Sequence, residues 1–416
     1  MSEAETRSVM SGAETRSVMS EAETLFPKYY SRFACKAERC THNCCIGWEI
    51  DIDGATAEKY ESLGESIGED IRKNTARSGD VSHFLMKNGR CPMLCEDNLC
   101  RIICELGDGA LCEICREHPR YYNTLSGVTL GGVGMSCEAA AELILSETAP
   151  TLYGDIGYSL GESCDGNSLA KGECDGNSLA KGVMDDNSLG ARETDGISFC
   201  KGSADKISLG ATEADDDSLK SDLLVLRALS YIEVLLSSGE DALSSIRNAV
   251  HRIIDLSGEI DLYLFGEADE PSDIRELVDG LLLEGRDEIL LRLREILSEL
   301  EYMSEGFEER VFAARWRDVS EFSAKSPIFS RYLLNSFAYL TARHLPLRAE
   351  SGDTLGALGI IISAFLILSL LLASDPEVLS SDPDTSLSAA VRLAVLFSEE
   401  IEYSEENTER LSELLL

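Results

Sequence analysis

Basic residues are in short supply: 37 lysines and arginines stand against 75 aspartates and glutamates, a formal net charge of −38 over 416 residues. A surface of that sign repels phosphates, which excludes nucleic acid as a partner and favours a basic one. The imbalance is not confined to one segment. Residues 151–220 hold 14 acidic and 6 basic side chains, net −8, and the remainder carries −30. The first residues lack the apolar h-region of an export signal, so the expected location is cytoplasmic and a disulfide framework is disfavoured. A nucleotide-binding fingerprint is also missing: Gly131-Gly132-Val133-Gly134 precedes a helix but lacks the expected strand, spacing and downstream acid.

Cysteine is plentiful and concentrated. Eleven of the 14 lie within residues 29–145: Cys35, Cys40, Cys44, Cys45, Cys91, Cys95, Cys100, Cys104, Cys112, Cys115 and Cys137. Thiolates a few residues apart let one metal centre draw several ligands from a short loop, which favours metal ligation over disulfides or unliganded core thiols. The surrounding blocks are specific. Cys35-x4-Cys40-x3-Cys44-Cys45-Ile46-Gly47-Trp48 is followed by Cys91-Pro92-Met93-Leu94, Leu99-Cys100-Arg101-Ile102, Leu111-Cys112-Glu113-Ile114-Cys115, His118-Pro119-Arg120 and Ser136-Cys137-Glu138.

Order and spacing of these blocks resemble the flagellin lysine-N-methylase family, within a wider group of cysteine-rich zinc- or iron-chelating proteins. The resemblance implies S-adenosylmethionine-dependent methyl transfer to lysines of flagellin or a similar surface protein, in a protein carrying an iron–sulfur cluster, 4Fe-4S in type, with zinc as the alternative. It places the family's metal-binding cysteines on Cys35, Cys40, Cys44, Cys45, Cys91, Cys100, Cys112, Cys115 and Cys137. Cys95 and Cys104 fall where relatives carry other residues, and His118 stands where an aromatic residue usually precedes Pro-Arg. A non-catalytic metal or electron-transfer module, free or membrane-tethered, is the alternative function.

The fold class expected is mainly α: a small cysteine-rich α+β metal-binding domain followed by a helical domain. Residues 1–28 repeat a nine-residue unit with few large apolar side chains and read as a disordered extension. The cysteine-rich domain spans 29–150, with a short strand at 46–52, a helix over 55–73, an extended or hairpin segment at 128–135 and a helix opened by Cys137. Residues 151–220 repeat a Ser-Leu or Ser-Phe pair every ten residues, as a low-complexity loop or a thin repeat structure. Cys164, Cys174 and Cys200 within it are left out of the metal site.

Residues 221–416 follow a helical period, with an apolar stripe over 289–303, a helix start at Ser326-Pro327 and a last helix over 387–404. Residues 355–373 carry no charge, so they form either a buried core helix or a membrane span. Arg331 to Leu345 and the last helix weakly resemble the family's C-terminal part, except that Glu399 and Tyr403 replace expected basic residues.

Methylating lysine requires a neutral amine, which costs roughly 4 kcal/mol at neutral pH from a pKa of about 10.4. Trp48, Tyr121 and Tyr122 are candidates to line a lysine channel, and Glu49 or Asp51 to accept the proton; each has a purely structural reading as well. The C-x3-C-x2-C pattern of radical adenosylmethionine enzymes is absent, so polar transfer is expected, with the metal centre structural or positioning the cofactor.

Overall fold

The computed structural model describes residues 23–64, 66–79, 81–125, 128–154, 217–266, 272–349 and 351–415. The decapeptide repeats and Cys164, Cys174 and Cys200 lie outside the described residues, as does most of the nine-residue repeat.

Two small sheets frame the N-terminal region. Strands β1 (Glu23–Leu25), β5 (Arg120–Leu125) and β6 (Val128–Val133) form one, in the order β1-β6-β5. Strand β1 runs parallel to β6, with Leu25 opposite Leu130, and β5 and β6 pair as an antiparallel hairpin. The described chain thus joins the fold at Glu23, ahead of the boundary expected at residue 29, because Leu25 has a strand partner and Phe26 stacks on Tyr30 at 3.9 Å. The other sheet orders β2 (Asp51–Ile52), β4 (Val81–Phe84) and β3 (Thr75–Ser78) antiparallel. Of the strand expected over 46–52, only Asp51–Ile52 pairs fully, with Ile46 bridged singly to Arg90.

The expected helix over 55–73 is two helices, α1 (Gly54–Ser62) and α2 (Ser66–Lys73). Arg72 explains the break: its guanidinium takes the carbonyls of Tyr60 and Leu63, satisfying the end of α1 from α2. Asp53 caps α1 by accepting from the Thr56 N–H at 2.9 Å and also takes the Glu113 N–H at 2.9 Å. That second bond anchors α4 (Glu113–Glu117), which follows α3 (Arg101–Leu106) and precedes α5 (Glu138–Ser146).

The remainder is helical: α6 (Asp217–Leu236), α7 (Ala242–Phe265), α8 (Ser272–Leu282), α9 (Glu288–Leu297), α10 (Phe307–Val311), α11 (Trp316–Lys325), α12 (Pro327–Ala349), α13 (Thr354–Ser374), α14 (Pro383–Phe397) and α15 (Glu405–Ser412). Helix α13 carries the uncharged run, and the fold buries it almost completely against α7, α12, α14 and α15. Each fully buried leucine or isoleucine contributes about 1.5–3 kcal/mol, which makes α13 the centre of the apolar core. Ser326 caps α12 through the Phe329 N–H at 3.2 Å. The apolar stripe over 289–303 ends early, since α9 stops at Leu297 and Met303 is exposed. The helix predicted over 387–404 is α14 followed by a π turn over Ser398–Glu402, and α15 lies beyond it as a further helix that was not predicted. Helix α12 packs against both α5 and β5, and Leu152 and Gly154 donate their N–H groups to Glu233 of α6, so the described stretches on either side of residues 155–216 form one unit.

Candidate metal centre

Cys91 and Cys112 are buried in an apolar cluster with Ile50, Tyr60, Phe84 and Ile102, and Cys45, Cys100 and Cys115 pack against it. Backbone pairing brings these loops together. The Cys91 N–H donates to the Cys45 carbonyl and the Arg101 N–H to that of Met93, each at 2.8 Å. Gly47 donates to the Gly89 carbonyl at 2.7 Å with φ of +88° and +71° at the two positions, a region open to glycine and strained for other residues.

Cys100, Cys112 and Cys137 are the N-cap residues of α3, α4 and α5. No side-chain capping hydrogen bond forms at these three sulfurs, yet the backbone N–H groups just downstream, Ile102 and Ile103 at Cys100, Cys115 at Cys112, Ala139 and Ala140 at Cys137, lower the pKa of each thiol. The backbone N–H groups of Met93 and Leu94 act on Cys91 in the same direction. Such donors favour thiolate, and they oppose the burial that pushes the Cys100 and Cys137 thiols up and the Cys40 thiol to about 12.

Neighbouring thiols also shift one another. Cys44 is lowered to about 7, first by its neighbour Cys45; Cys91 is lowered by Cys45 and Cys112 by Cys115. Cys45 and Cys115 are raised by the same neighbours.

Beyond these pairs, Cys115 feels the charges of Cys91 and Cys100, and Cys137 those of Cys44 and Cys35, while Cys40 feels Cys137. Of the nine predicted sulfurs, Cys45, Cys91, Cys100, Cys112 and Cys115 therefore gather in the apolar cluster. Hydrogen bonds to Glu138 hold the loop of Cys35 and Cys40 to α5 beside Cys137, while Cys44 adjoins Cys45 in sequence and raises the pKa of Cys137. Among the described residues, no three His, Cys, Asp or Glu side chains close round a common point as a finished cage. The donors suit iron or zinc in kind and neighbourhood, and binding would draw them closer. Cys104 is exposed on α3, and Cys95 sits in a turn whose N–H bonds to the Leu99 carbonyl.

Glu138 ties the second set together. Its carboxylate accepts from Lys36 Nζ, the Thr41 N–H and the Thr41 hydroxyl, each at 2.7 Å, and from the His42 N–H at 3.0 Å. Burial raises its pKa, but these hydrogen bonds outweigh it and hold the group at about 2. His42 in turn lies 2.7 Å from Glu399 of the π turn, which raises its pKa.

Sequence reasoning missed the buried polar cluster behind this region. Glu402, its side chain 1% exposed, takes Arg343 Nε at 3.1 Å, His344 Nε2 at 3.2 Å, the Tyr339 hydroxyl at 2.9 Å and the Ser398 hydroxyl at 2.6 Å. Burial pushes its pKa up and Arg343 leads the partners that bring it below the usual range. The Arg343 guanidinium lies over the rings of Tyr121 at 5.2 Å and Tyr403 at 5.7 Å. The sequence signal was the pair Arg343-His344 on a largely buried stretch of α12 whose other cationic residues, Arg331 and Arg348, stand near its two ends.

Among the candidate channel residues, Trp48 packs on Tyr403 with ring centroids 4.8 Å apart, and His118 stands 6.3 Å from Tyr403. Burial holds His118 down at about 4, and its Nε2 is buried without a hydrogen-bond partner. Tyr122 is exposed with its hydroxyl 3.3 Å from Glu117, and Glu49 and Asp51 are exposed. The glycine-rich segment is not a nucleotide cradle: a Cβ on Gly131 would fall 2.3 Å from the Phe26 ring, and one on Gly132 2.3 Å from Tyr121. The missing side chains admit rings.

Fold and site together define a mainly α protein with a thiol-rich α+β N-terminal region. Over part of its length the chain is related to lysine-N-methylases. It is 30% identical over 129 residues, 29% of this chain and 32% of the relative, to a lysine-N-methylase of Salmonella typhimurium, and matches that of Salmonella choleraesuis to the same extent. It is 28% identical over 137 residues, 31% of this chain and 80% of the relative, to the flagellar biosynthetic protein FliU of Salmonella muenchen. The match spans about a third of the length of the lysine-N-methylases. No family model and no solved structure matches.

Proposed function

We propose that this protein transfers methyl groups from S-adenosylmethionine to lysine side chains of flagellin or a similar surface protein in the cytoplasm, and that its cysteines hold an iron–sulfur centre, with zinc as the alternative metal. The relationship to proteins named lysine-N-methylase, joined by one named for flagellar biosynthesis, carries this reading. S-adenosylmethionine supplies an electrophilic methyl group when bound. The chain's own residues must then deliver a neutral amine.

Trp48 and Tyr403 offer that amine an entrance. Tyr403 is 39% exposed and Trp48 partly so, and aromatic faces attract ammonium and methylammonium groups. His118 lies behind Tyr403, kept neutral by burial, so it adds no charge to repel lysine. The metal centre would sit in the thiol cluster beside this entrance and order the loops that carry Trp48 and His118.

The test is mass spectrometry of flagellin from cells with and without the gene, followed by the purified chain acting on unmodified flagellin with S-adenosylmethionine. Added methyl groups on lysine, without 5′-deoxyadenosine as a product, are the expected result. Flagellin identical in both cells, with no transfer by the purified chain, would overturn it.

A further inference from the structure

Glu138 follows Cys137 at the start of α5, and it is only 8% exposed although it is a carboxylate beside thiols. Its oxygens hold both ends of the loop that carries Cys35 and Cys40: Lys36 Nζ at 2.7 Å on one side, and the Thr41 N–H, Thr41 hydroxyl and His42 N–H at 2.7, 2.7 and 3.0 Å on the other. The Cys40 sulfur is 3.6 Å from the same carboxylate. A negative group near sulfurs that must become thiolate is electrostatically adverse, so its placement needs a compensating purpose. Pinning the loop to α5 is one that the geometry meets directly. None of these contacts reaches Cys91, Cys112 or Cys115, which sit in the apolar cluster.

From this we infer that the cysteines form two separable metal-binding sets, and that Glu138 is the positioning residue of the second, holding Cys35 and Cys40 against Cys137 with Cys44 at the seam. The inference rests on the metal reading above. A thiolate-preferring metal, ferrous iron with sulfide or zinc, is the ligand class of both sets. Loss of a supporting contact of this kind weakens metal affinity about 10- to 100-fold. Loss of Glu138 thus empties one set and leaves the other filled.

The experiment uses the full chain, loaded anaerobically with ferrous iron and sulfide, in wild-type, Glu138→Gln and Thr41→Val forms. Iron per chain is measured, and each cysteine's alkylation by iodoacetamide is mapped by mass spectrometry. In Glu138→Gln, alkylation of Cys35, Cys40 and Cys137 should accelerate about tenfold or more, iron should fall without vanishing, and Cys91, Cys112 and Cys115 should stay protected. Thr41→Val should show the same pattern more weakly, and it decides the matter if Glu138→Gln loses its helical circular dichroism. Wild-type iron and protection in the folded variants would overturn the role of Glu138. Equal deprotection of both sets would overturn their separability. A wild-type chain that binds neither iron nor zinc and alkylates uniformly would instead overturn the metal reading itself.

Discussion

Arg343 and Glu402 meet at 3.1 Å in a place that solvent barely reaches, with the Tyr339 hydroxyl bonded to the same carboxylate and accepting from the Met135 N–H at 3.2 Å. The pair links α12 and the π turn to the chain between β6 and α5, and hence to Cys137. Removing one partner leaves the other charged and buried, which costs about 3–5 kcal/mol. Arg343→Met should lose that much stability in urea denaturation, and Arg343→Met combined with Glu402→Leu should recover part of it. A loss below about 1 kcal/mol for the single change would show the pair to be less important than its burial implies.

His118 gives the protein an acid-sensitive step. Its pKa falls from 6.5 to about 4 on folding, so the unfolded chain takes up a proton first as pH drops. Stability from this residue is therefore complete above pH 6.5, is lost as pH falls towards 4, and levels off below that. Urea midpoints of wild type and His118→Phe measured across this window should converge as pH falls, or cross; parallel curves would refute the assignment.

Gly132→Ala should destabilise the fold by about 1–3 kcal/mol, because the new methyl group meets the Tyr121 ring. A nucleotide cradle would behave differently, losing ligand affinity at unchanged stability. Denaturation and S-adenosylmethionine binding measured on the same variant separate the two.

Leu368→Ala in α13 should cost about 2–5 kcal/mol, the range for truncating a fully buried leucine. A helix whose side chains faced lipid would show no such cost in detergent-free urea denaturation.

Much of the fold could be read from local pattern. Ser326-Pro327 announced α12, the uncharged run marked α13, and Cys137 fell at the N-cap of α5, because capping and apolar periodicity are written in neighbouring residues. The misses are long-range. Arg72 closes α1 from the next helix, and Leu25 gains a partner only when β6 returns beside it. At the site, cysteine spacing marked out the loops but could not sort Cys40 from Cys91, since that depends on Glu138 and on the apolar cluster. Arg343 and Glu402 were invisible as a pair for the same reason: each looks like an isolated charge until α12 and the π turn are packed together.

The widened turn at Ser398–Glu402 has a consequence for how the chain could vary. It sends Glu399 to His42, Glu400 to the Met303 N–H and Glu402 to Arg343, three directions from five residues. Deleting one residue there would restore ordinary helical pitch and swing everything after it by about 100°. Tyr403 would leave Trp48 and the carboxylates would change partners together, so length in this turn is as constrained as identity.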